Sequence, residues 1–120
     1  MIGRVDHGGR ALVEVELLPP PGAAPVRVEV WIDNGFTGDL VLPRAWIERL
    51  ALNASGTVTA VLADGAEVAM RTYTCFVHWY GRRERLEIVE SDGAYPLLGV
   101  GLLFERDLRI NYHDGTVSLE

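Results

Sequence analysis

A chain of 120 residues and 13.2 kDa has room for one hydrophobic core, so we expect a single domain over residues 1–120. Its formal net charge is -6 and its 11 basic residues are all arginines, which disfavours nucleic acid and anionic membranes as partners, because phosphate binding usually needs a basic face. The single cysteine, Cys75, excludes an intramolecular disulfide, and three scattered histidines lack metal-ligand spacing, so neither a cysteine protease nor a zinc enzyme is expected.

Hydropathy along the chain gives no sign of a membrane segment. No apolar run approaches the length of a membrane helix, and Met1 to Asp6 lacks the apolar stretch of a signal peptide. We therefore expect a cytoplasmic protein, and no motif indicates a metal or another cofactor. Only Arg82-Arg83-Glu84-Arg85 concentrates positive charge, and the acid within it favours a solvated turn.

The first part of the chain is predicted to form a β-hairpin. Apolar and polar residues alternate from Ala11 to Leu18 and again from Val26 to Ile32, which is the period of a strand with one buried face. Pro19 to Pro25 lies between them. Because its prolines cannot donate ladder hydrogen bonds, we predict an exposed connection that closes the hairpin.

A strand followed by a short helix is predicted after the next turn. Leu40-Val41-Leu42 is a short apolar run that ends at Pro43, a residue suited to the first turn of a helix. Apolar residues at helical spacing then give Pro43 to Leu50 one apolar face.

Two further hairpins are predicted in the second half of the chain. Strands at Thr57 to Leu62 and Glu67 to Tyr80 are joined through Ala63-Asp64-Gly65, where Asp-Gly suits the positive φ angles of a tight turn. Cys75 falls on the apolar face of the longer strand and is expected to be a core residue. Gly81-Arg82-Arg83 then turns the chain into a strand from Arg85 to Glu90.

The C-terminal part is predicted to contain a turn at Ser91-Asp92-Gly93, a short helix from Val100 to Glu105 and a closing hairpin. The strands of that hairpin, Asp107 to Tyr112 and Thr116 to Leu119, flank His113-Asp114-Gly115. Many short strands separated by turns, with one or two short helices, predict an all-β barrel or sandwich. A parallel α/β fold is disfavoured, because it needs repeated crossover helices.

The best candidate for chemistry is Asp33. Taken alone, Asp33-Asn34-Gly35 is typical of an ordinary turn. Here, however, an alternating strand ends in the acid, a glycine-containing loop follows, and Leu40-Val41-Leu42-Pro43 returns to the core. The whole segment from Trp31 to Pro43 resembles the catalytic loop of the retropepsin-like (clan AA) aspartic proteases, especially their bacterial members.

Three further segments stand in the order that this family implies. Ala63, Asp64 and Gly65 resemble the tip of the flap, the hairpin that covers the substrate, and Leu97-Leu98-Gly99 resembles the family's hydrophobic-hydrophobic-glycine motif. We expect Leu97, Leu98 and Gly99 to support the loop rather than to act in catalysis. Val100 to Glu105 corresponds to the short helix that follows. The resemblance implies a small closed β-barrel of the retropepsin type.

The family's chemistry requires two carboxylates that share one proton, but this chain contains only one loop of the required kind. Asp64-Gly65, Asp92-Gly93 and Asp114-Gly115 are better explained as hairpin turns. The resemblance therefore implies an aspartic endopeptidase that acts as a homodimer, with one Asp33 from each subunit and an extended peptide substrate bound between flap and floor. The terminal segments, Ile2 to Val5 and Thr116 to Leu119, are candidates for intersubunit strand pairing or, equally, ordinary edge strands.

Asn34 departs from the family pattern, which has Thr or Ser at this position. The implied role of that hydroxyl is a hydrogen bond across the dimer axis, and the planar amide of Asn34 is larger. An alternative is therefore a catalytically impaired module for dimerisation or peptide binding. A third alternative is a monomeric β-barrel binding protein. Within the loop, we expect the Thr37 hydroxyl to brace the backbone and Asp39 to lie on the surface.

Overall fold

Alternating apolar and polar residues build two adjacent strands that lead into the candidate loop. The computed structural model describes residues 1–21 and 23–120. In β2 (Ala11–Leu18) and β3 (Val26–Ile32), alternate side chains are buried, and the two strands pair antiparallel from Leu12↔Trp31 to Leu17↔Val26. This confirms the first predicted hairpin and the bounds of both strands. Its predicted connection includes residue 22, which lies outside the described residues.

The remaining elements of the described chain are eight strands and two helices. They are β1 (Ile2–Val5), β4 (Leu40–Pro43), α1 (Arg44–Leu50), β5 (Asn53–Val61), β6 (Glu67–Trp79), β7 (Arg82–Ser91), β8 (Leu97–Leu98), α2 (Val100–Leu103), β9 (Leu108–Asn111) and β10 (Thr116–Leu119).

All ten strands belong to one sheet that closes on itself. The order is β5-β6-β7-β4-β8-β3-β2-β1-β10-β9, and an additional pairing between β6 and β2 joins six of these strands into a ring. β5 lies outside the ring on one side, and β1, β10 and β9 lie outside it on the other. The all-β prediction is confirmed. The predicted closed barrel describes only the ring, because four strands extend beyond it.

The arginine cluster lies on a strand and not in a turn, contrary to the prediction. The turn is limited to Tyr80 and Gly81, both with positive φ (50° and 80°), as in the tightest hairpin turns. Pairing therefore resumes at once with Trp79↔Arg82, and β7 begins three residues earlier than predicted. Along this strand, the Arg83 guanidinium lies 3.8 Å from the centre of the Phe76 ring.

Other element boundaries shift for identifiable reasons. Pro43 is the last residue of β4 and the residue before α1, so the helix begins one position later than predicted. α2 ends at Leu103 rather than Glu105, because Phe104 leaves helical geometry and Glu105 has a φ of 62°. β5 begins at Asn53 rather than Thr57, since pairing with β6 continues past a bulge near Gly56.

The core is one cluster formed mainly by the inward faces of β2, β3, β4, β6 and β7, with Ile47 and Leu50 of α1 against it. Cys75 is buried within this cluster, which confirms its expected place, and burial raises the pKa of its thiol. No helix in residues 1–21 and 23–120 is long and apolar enough to cross a membrane.

The terminal strands are neither free nor at an edge within the chain. β1 pairs with both β2 and β10, and β10 pairs with both β1 and β9. The Met1 amino group also donates to Leu119 O, and Leu119 N donates to Met1 O. Of the two alternatives, ordinary edge strands are therefore wrong for these segments, and within this chain each of the two strands is paired on both sides. The β9–β10 hairpin folds back and fills the position beside β1.

Candidate active site

Asp33 is fixed at the point where β3 ends. Its backbone N–H donates to Leu98 O at 2.8 Å, one residue beyond the parallel pair Ile32↔Leu98. Pairing with β8 therefore fixes the position of the Asp33 backbone. The Asp33 side chain is half-buried, and its Oδ1 accepts from Gly35 N at 2.9 Å. Among the described residues, Oδ2 has no hydrogen-bond partner. One carboxylate oxygen thus holds the turn while the other remains available.

The loop after Asp33 rests on Gly99 and the start of α2. Gly99 N donates to Asp39 O at 2.9 Å, Val100 N to Phe36 O at 2.8 Å and Gly101 N to Gly38 O at 2.9 Å. A Cβ atom at Gly99 would overlap Gly38 O and the Phe36 ring, so only glycine permits this approach. Leu97 and Leu98 form β8 between β3 and β4. The structure therefore brings the predicted supporting triplet directly against the loop.

The exposed edge of the loop carries Asn34, Gly35 and Thr37. Neither the Asn34 amide nor the Thr37 hydroxyl makes a hydrogen bond to any described residue, so bracing by Thr37 is not observed within one chain. A Cβ atom at Gly35 would lie 3.2 Å from Asp33 Oδ1, a tight contact against the carboxylate. The absence of a side chain at Gly35 thus leaves room for the Asp33 carboxylate.

Asp39 is half-buried, and it has a structural contact besides the surface position predicted for it. Its Oδ2 accepts from Glu87 N at 3.1 Å, which ties the end of the loop to β7. A Cβ atom at Gly101 would overlap Asp39 Oδ1, so the same carboxylate also packs against α2.

The predicted flap is a hairpin of β5 and β6 whose tip is fully exposed. Gly65 N donates to Leu62 O at 2.9 Å, Leu62 N donates to Ala66 O at 2.8 Å, and only Gly65 has a positive φ, of 85°. The turn therefore runs through Ala63, Asp64 and Gly65, as predicted, but with one positive φ angle, at Gly65 and not at Asp64. Asp64 Oδ1 accepts from Ala66 N at 2.9 Å and stabilises the tip, where Ala63 is exposed.

A cavity of about 400 Å³ separates the loop from the flap. Its floor is formed by residues 35–39 and by Glu87 and Val89 of β7, and its cover by residues 58–61 and Met70 of the hairpin. Asp33 lies beside this cavity and does not line it. The predicted loop and the strands of the β5–β6 hairpin thus line one open cleft, whereas the predicted tip residues Ala63, Asp64 and Gly65 do not line it.

The other Asp-Gly pairs lie elsewhere in the fold. Asp64 is at the flap tip, and Asp114 is in the β9–β10 turn, where its Oδ2 accepts from Asn111 Nδ2. Asp92 is in the connection from β7 to β8, which are not paired with each other, so the hairpin turn predicted there is wrong. Its Oδ1 instead accepts from Arg44 Nη2 at 3.1 Å. Within the described chain, Asp33 alone lies in a loop of the predicted kind.

The Arg10 side chain lies beside the strand that leads to Asp33. The Arg10 guanidinium is 4.5 Å from the centre of the Tyr95 ring and 5.6 Å from that of Trp31, and its Nη1 donates to Asp6 Oδ2 at 2.8 Å. Hydrogen bonds from Arg10 lower the pKa of the Asp6 carboxyl group. This cluster packs the start of β2 against the segments that lead into Asp33 and β8.

The sequence indicated no individual role in the site for Phe36, Gly101 or Glu87, although Phe36 lies within the predicted loop. The position of Gly101, two residues after Gly99, could have indicated a close contact between α2 and the loop. The alternation of Glu87 with the core residues Leu86 and Ile88 could have indicated that Glu87 faces the other side of β7. No feature of the sequence indicated the role of Phe36.

Known structures share the fold of this chain, although no protein-family model and no curated protein matches the sequence. A retropepsin-like aspartic protease from Rickettsia conorii superposes with a TM-score of 0.68 at 19% identity, over 99% of this chain and 88% of that chain. The chain has the retropepsin-like fold. The predicted resemblance is therefore confirmed for the fold.

Two viral proteases also resemble this chain in fold. The EIAV protease, complexed with the inhibitor HBY-793, gives a TM-score of 0.57 at 19% identity over 82% of this chain and 88% of that chain. The simian foamy virus (mac) protease gives a TM-score of 0.53 at 23% identity, over 81% of this chain and 99% of that chain. At these identities the likeness concerns the fold alone.

Proposed function

We propose that this protein is an aspartic endopeptidase that acts as a homodimer, with Asp33 of each subunit forming the catalytic pair. The observation that carries the proposal is the position of Asp33. It directly follows the half-buried strand β3, has one carboxylate oxygen with no hydrogen-bond partner in the described chain, and lies beside a cleft between its own loop and a hairpin flap, in a retropepsin-like fold.

The chemistry needs one ionised and one protonated carboxyl group. The ionised group takes a proton from water, whose oxygen attacks the scissile carbonyl, while the protonated group donates to the carbonyl oxygen. Collapse of the tetrahedral intermediate breaks the C–N bond, and the leaving amine takes a proton from the pair. One described chain contains a single acid in such a loop, so a second copy supplies the other.

The dimer surface follows from what is exposed around Asp33. Asn34 lies on the exposed edge of the loop, and its amide has no hydrogen-bond partner in the described chain, whereas Thr37 lines the cleft. We infer that the Asn34 amide faces the second copy across the two-fold axis. Because β1 and β10 are already paired on both sides, the terminal strands do not provide free edges for this contact.

Peptide cleavage tests the proposal directly. We expect wild-type protein to cleave unstructured peptides at acidic to neutral pH and to be inhibited by a statine-type transition-state analogue. Asp33→Asn should abolish cleavage while leaving the thermal unfolding transition in place, and Asp92→Asn, an exposed acid outside the cleft, should retain it. Cleavage that survives in Asp33→Asn would refute the assignment.

The second candidate is an inactive module for dimerisation or peptide binding, favoured by the exposed amide of Asn34 where the family pattern has a hydroxyl. Asn34→Thr separates the two. If wild-type protein is inert and Asn34→Thr cleaves peptides, the module is the correct description of the natural chain. If wild-type protein and Asn34→Thr are equally active, Asn34 no longer supports the inactive module.

A further inference from the structure

The charge of the cleft is uniformly negative in the part of the chain that the structure describes. The cavity between loop and flap is lined by twelve residues, ten of which are uncharged, and the charged two are Asp39 and Glu87. A peptide bound there would therefore meet acidic groups and no basic one.

Glu87 is directed into the cleft by the pleat of β7. Leu86 and Ile88 point into the core, so Glu87 must face the opposite side, where Val89 also lines the cavity. The backbone is held there because Glu87 N donates to Asp39 Oδ2. Asp39 thus fixes the backbone, whereas the Glu87 side chain is exposed and makes no ion pair within residues 1–21 and 23–120.

Arg85 is the basic residue that could pair with the Glu87 carboxylate. It stands two positions before Glu87 on the same face of β7 and lines the neighbouring depression with Asp39 and Glu87. Its Nη2 donates to Thr74 Oγ1 at 3.5 Å, and it does not line the cleft itself. The Glu87 carboxylate therefore stays available to a cation that enters between loop and flap.

We propose that Glu87 makes the enzyme prefer substrates with Arg or Lys at one of the positions that flank the cleaved bond. The inference rests on the proposed function, because it places an extended peptide in the cleft. Asp33 does not line this cavity, so the selected side chain belongs to a flanking position. An exposed ion pair of this kind corresponds to a preference of about 2- to 5-fold in kcat/KM. Salt should weaken the preference through screening.

A peptide series measures the effect. One cleaved peptide is resynthesised with Arg, Gln or Glu at each position that flanks the cut, and kcat/KM is determined at low and high ionic strength. We expect wild-type protein to favour Arg over Gln and Glu at one position, and Glu87→Gln to lose that preference there. Glu48→Gln, which removes the same charge from the exposed face of α1, should keep it.

The outcomes distinguish a failure of this inference from a failure of the proposed function. Cleavage without any preference for Arg, or with a preference that Glu87→Gln leaves unchanged, overturns the inference while the protease assignment stands. If no peptide is cleaved, fluorescence anisotropy with the Asp33→Asn protein and labelled peptides decides the matter. Tighter binding of an Arg peptide that is lost in Asp33→Asn/Glu87→Gln supports the inference, and equal binding of Arg and Gln peptides overturns it.

Discussion

Single residues fix the candidate site through close backbone contacts. The clearest is Gly99, whose Cα faces Gly38 O and the Phe36 ring so closely that a methyl group would displace the loop. The sequence predicted that Leu97-Leu98-Gly99 supports the loop, because the motif and its order were visible. It gave no reason to expect which atoms Gly99 touches, since that contact joins segments about sixty residues apart.

Gly99→Ala tests this contact. We expect a loss of about 1–3 kcal/mol in the free energy of unfolding, because the added methyl group overpacks a contact with backbone. Peptide cleavage should fall as well, since the loop would move Asp33. Urea denaturation gives the stability. Gly8→Ala is the control, because its nearest neighbour, Arg10 Nη1 at 3.3 Å, is the end of a flexible side chain. Equal stability of the two variants would contradict the prediction.

The Asp6–Arg10 pair gives a prediction for pH. The pKa of Asp6 is lowered in the folded protein, so its ionised form stabilises the fold above its unfolded pKa, and this contribution is lost as pH falls through the lowered value. Asp6→Asn should therefore have a lower Tm than wild type at pH 7, and the difference should shrink at about pH 2. Thermal unfolding followed by circular dichroism measures both. A difference that is constant with pH would contradict the assignment.

At the scale of elements, the flap depends on a hydroxyl pair at its base. Ser55 and Thr72 oxygens lie 3.0 Å apart next to the bulge in β5, and Thr72 is the one polar residue in the described chain that is fully buried. The pair therefore joins the two strands of the hairpin at the point where their regular pairing is interrupted.

Ser55→Ala should cost about 1 kcal/mol of stability, because it leaves the Thr72 hydroxyl without its partner. The double variant Ser55→Ala/Thr72→Val should recover part of that loss, since neither polar group is then left unpaired. Thermal unfolding compares the three proteins, and hydrogen exchange locates the change in β5 and β6. If the double variant is less stable than Ser55→Ala alone, the hydroxyl pair is not the cause.

Element prediction succeeded where local pattern and pairing agree. The bounds of β2, β3 and β10 followed from alternation and turns. The starts of β5 and β7 were not predicted correctly, because Asn53 to Gly56 and the arginine cluster have little strand character. These residues are extended because they pair with β6. β8 was missed as a strand, since two residues carry no periodicity.

At the scale of the whole molecule, the main prediction concerns subunit number. If each active site contains Asp33 from two chains, mixing wild type with an equal amount of Asp33→Asn and allowing exchange should leave about a quarter of the activity of wild type at the same total concentration. Independent monomers would retain about half. Cleavage rates measure this, and sedimentation at the same concentrations shows whether dimers are present. Activity at the monomer value would refute the shared site.

The sequence by itself determined the all-β class, most strand positions and the loop on which Asp33 lies, because alternation, turn residues and motif order are local properties of the chain. Tertiary structure decided the rest. The pairing of β1 with β10, the passage of β8 between β3 and β4, the contact of Gly99 with the loop and the entry of Glu87 into the cleft all join distant segments. Their physical basis is pairing and packing, which exist only once the sheet has closed.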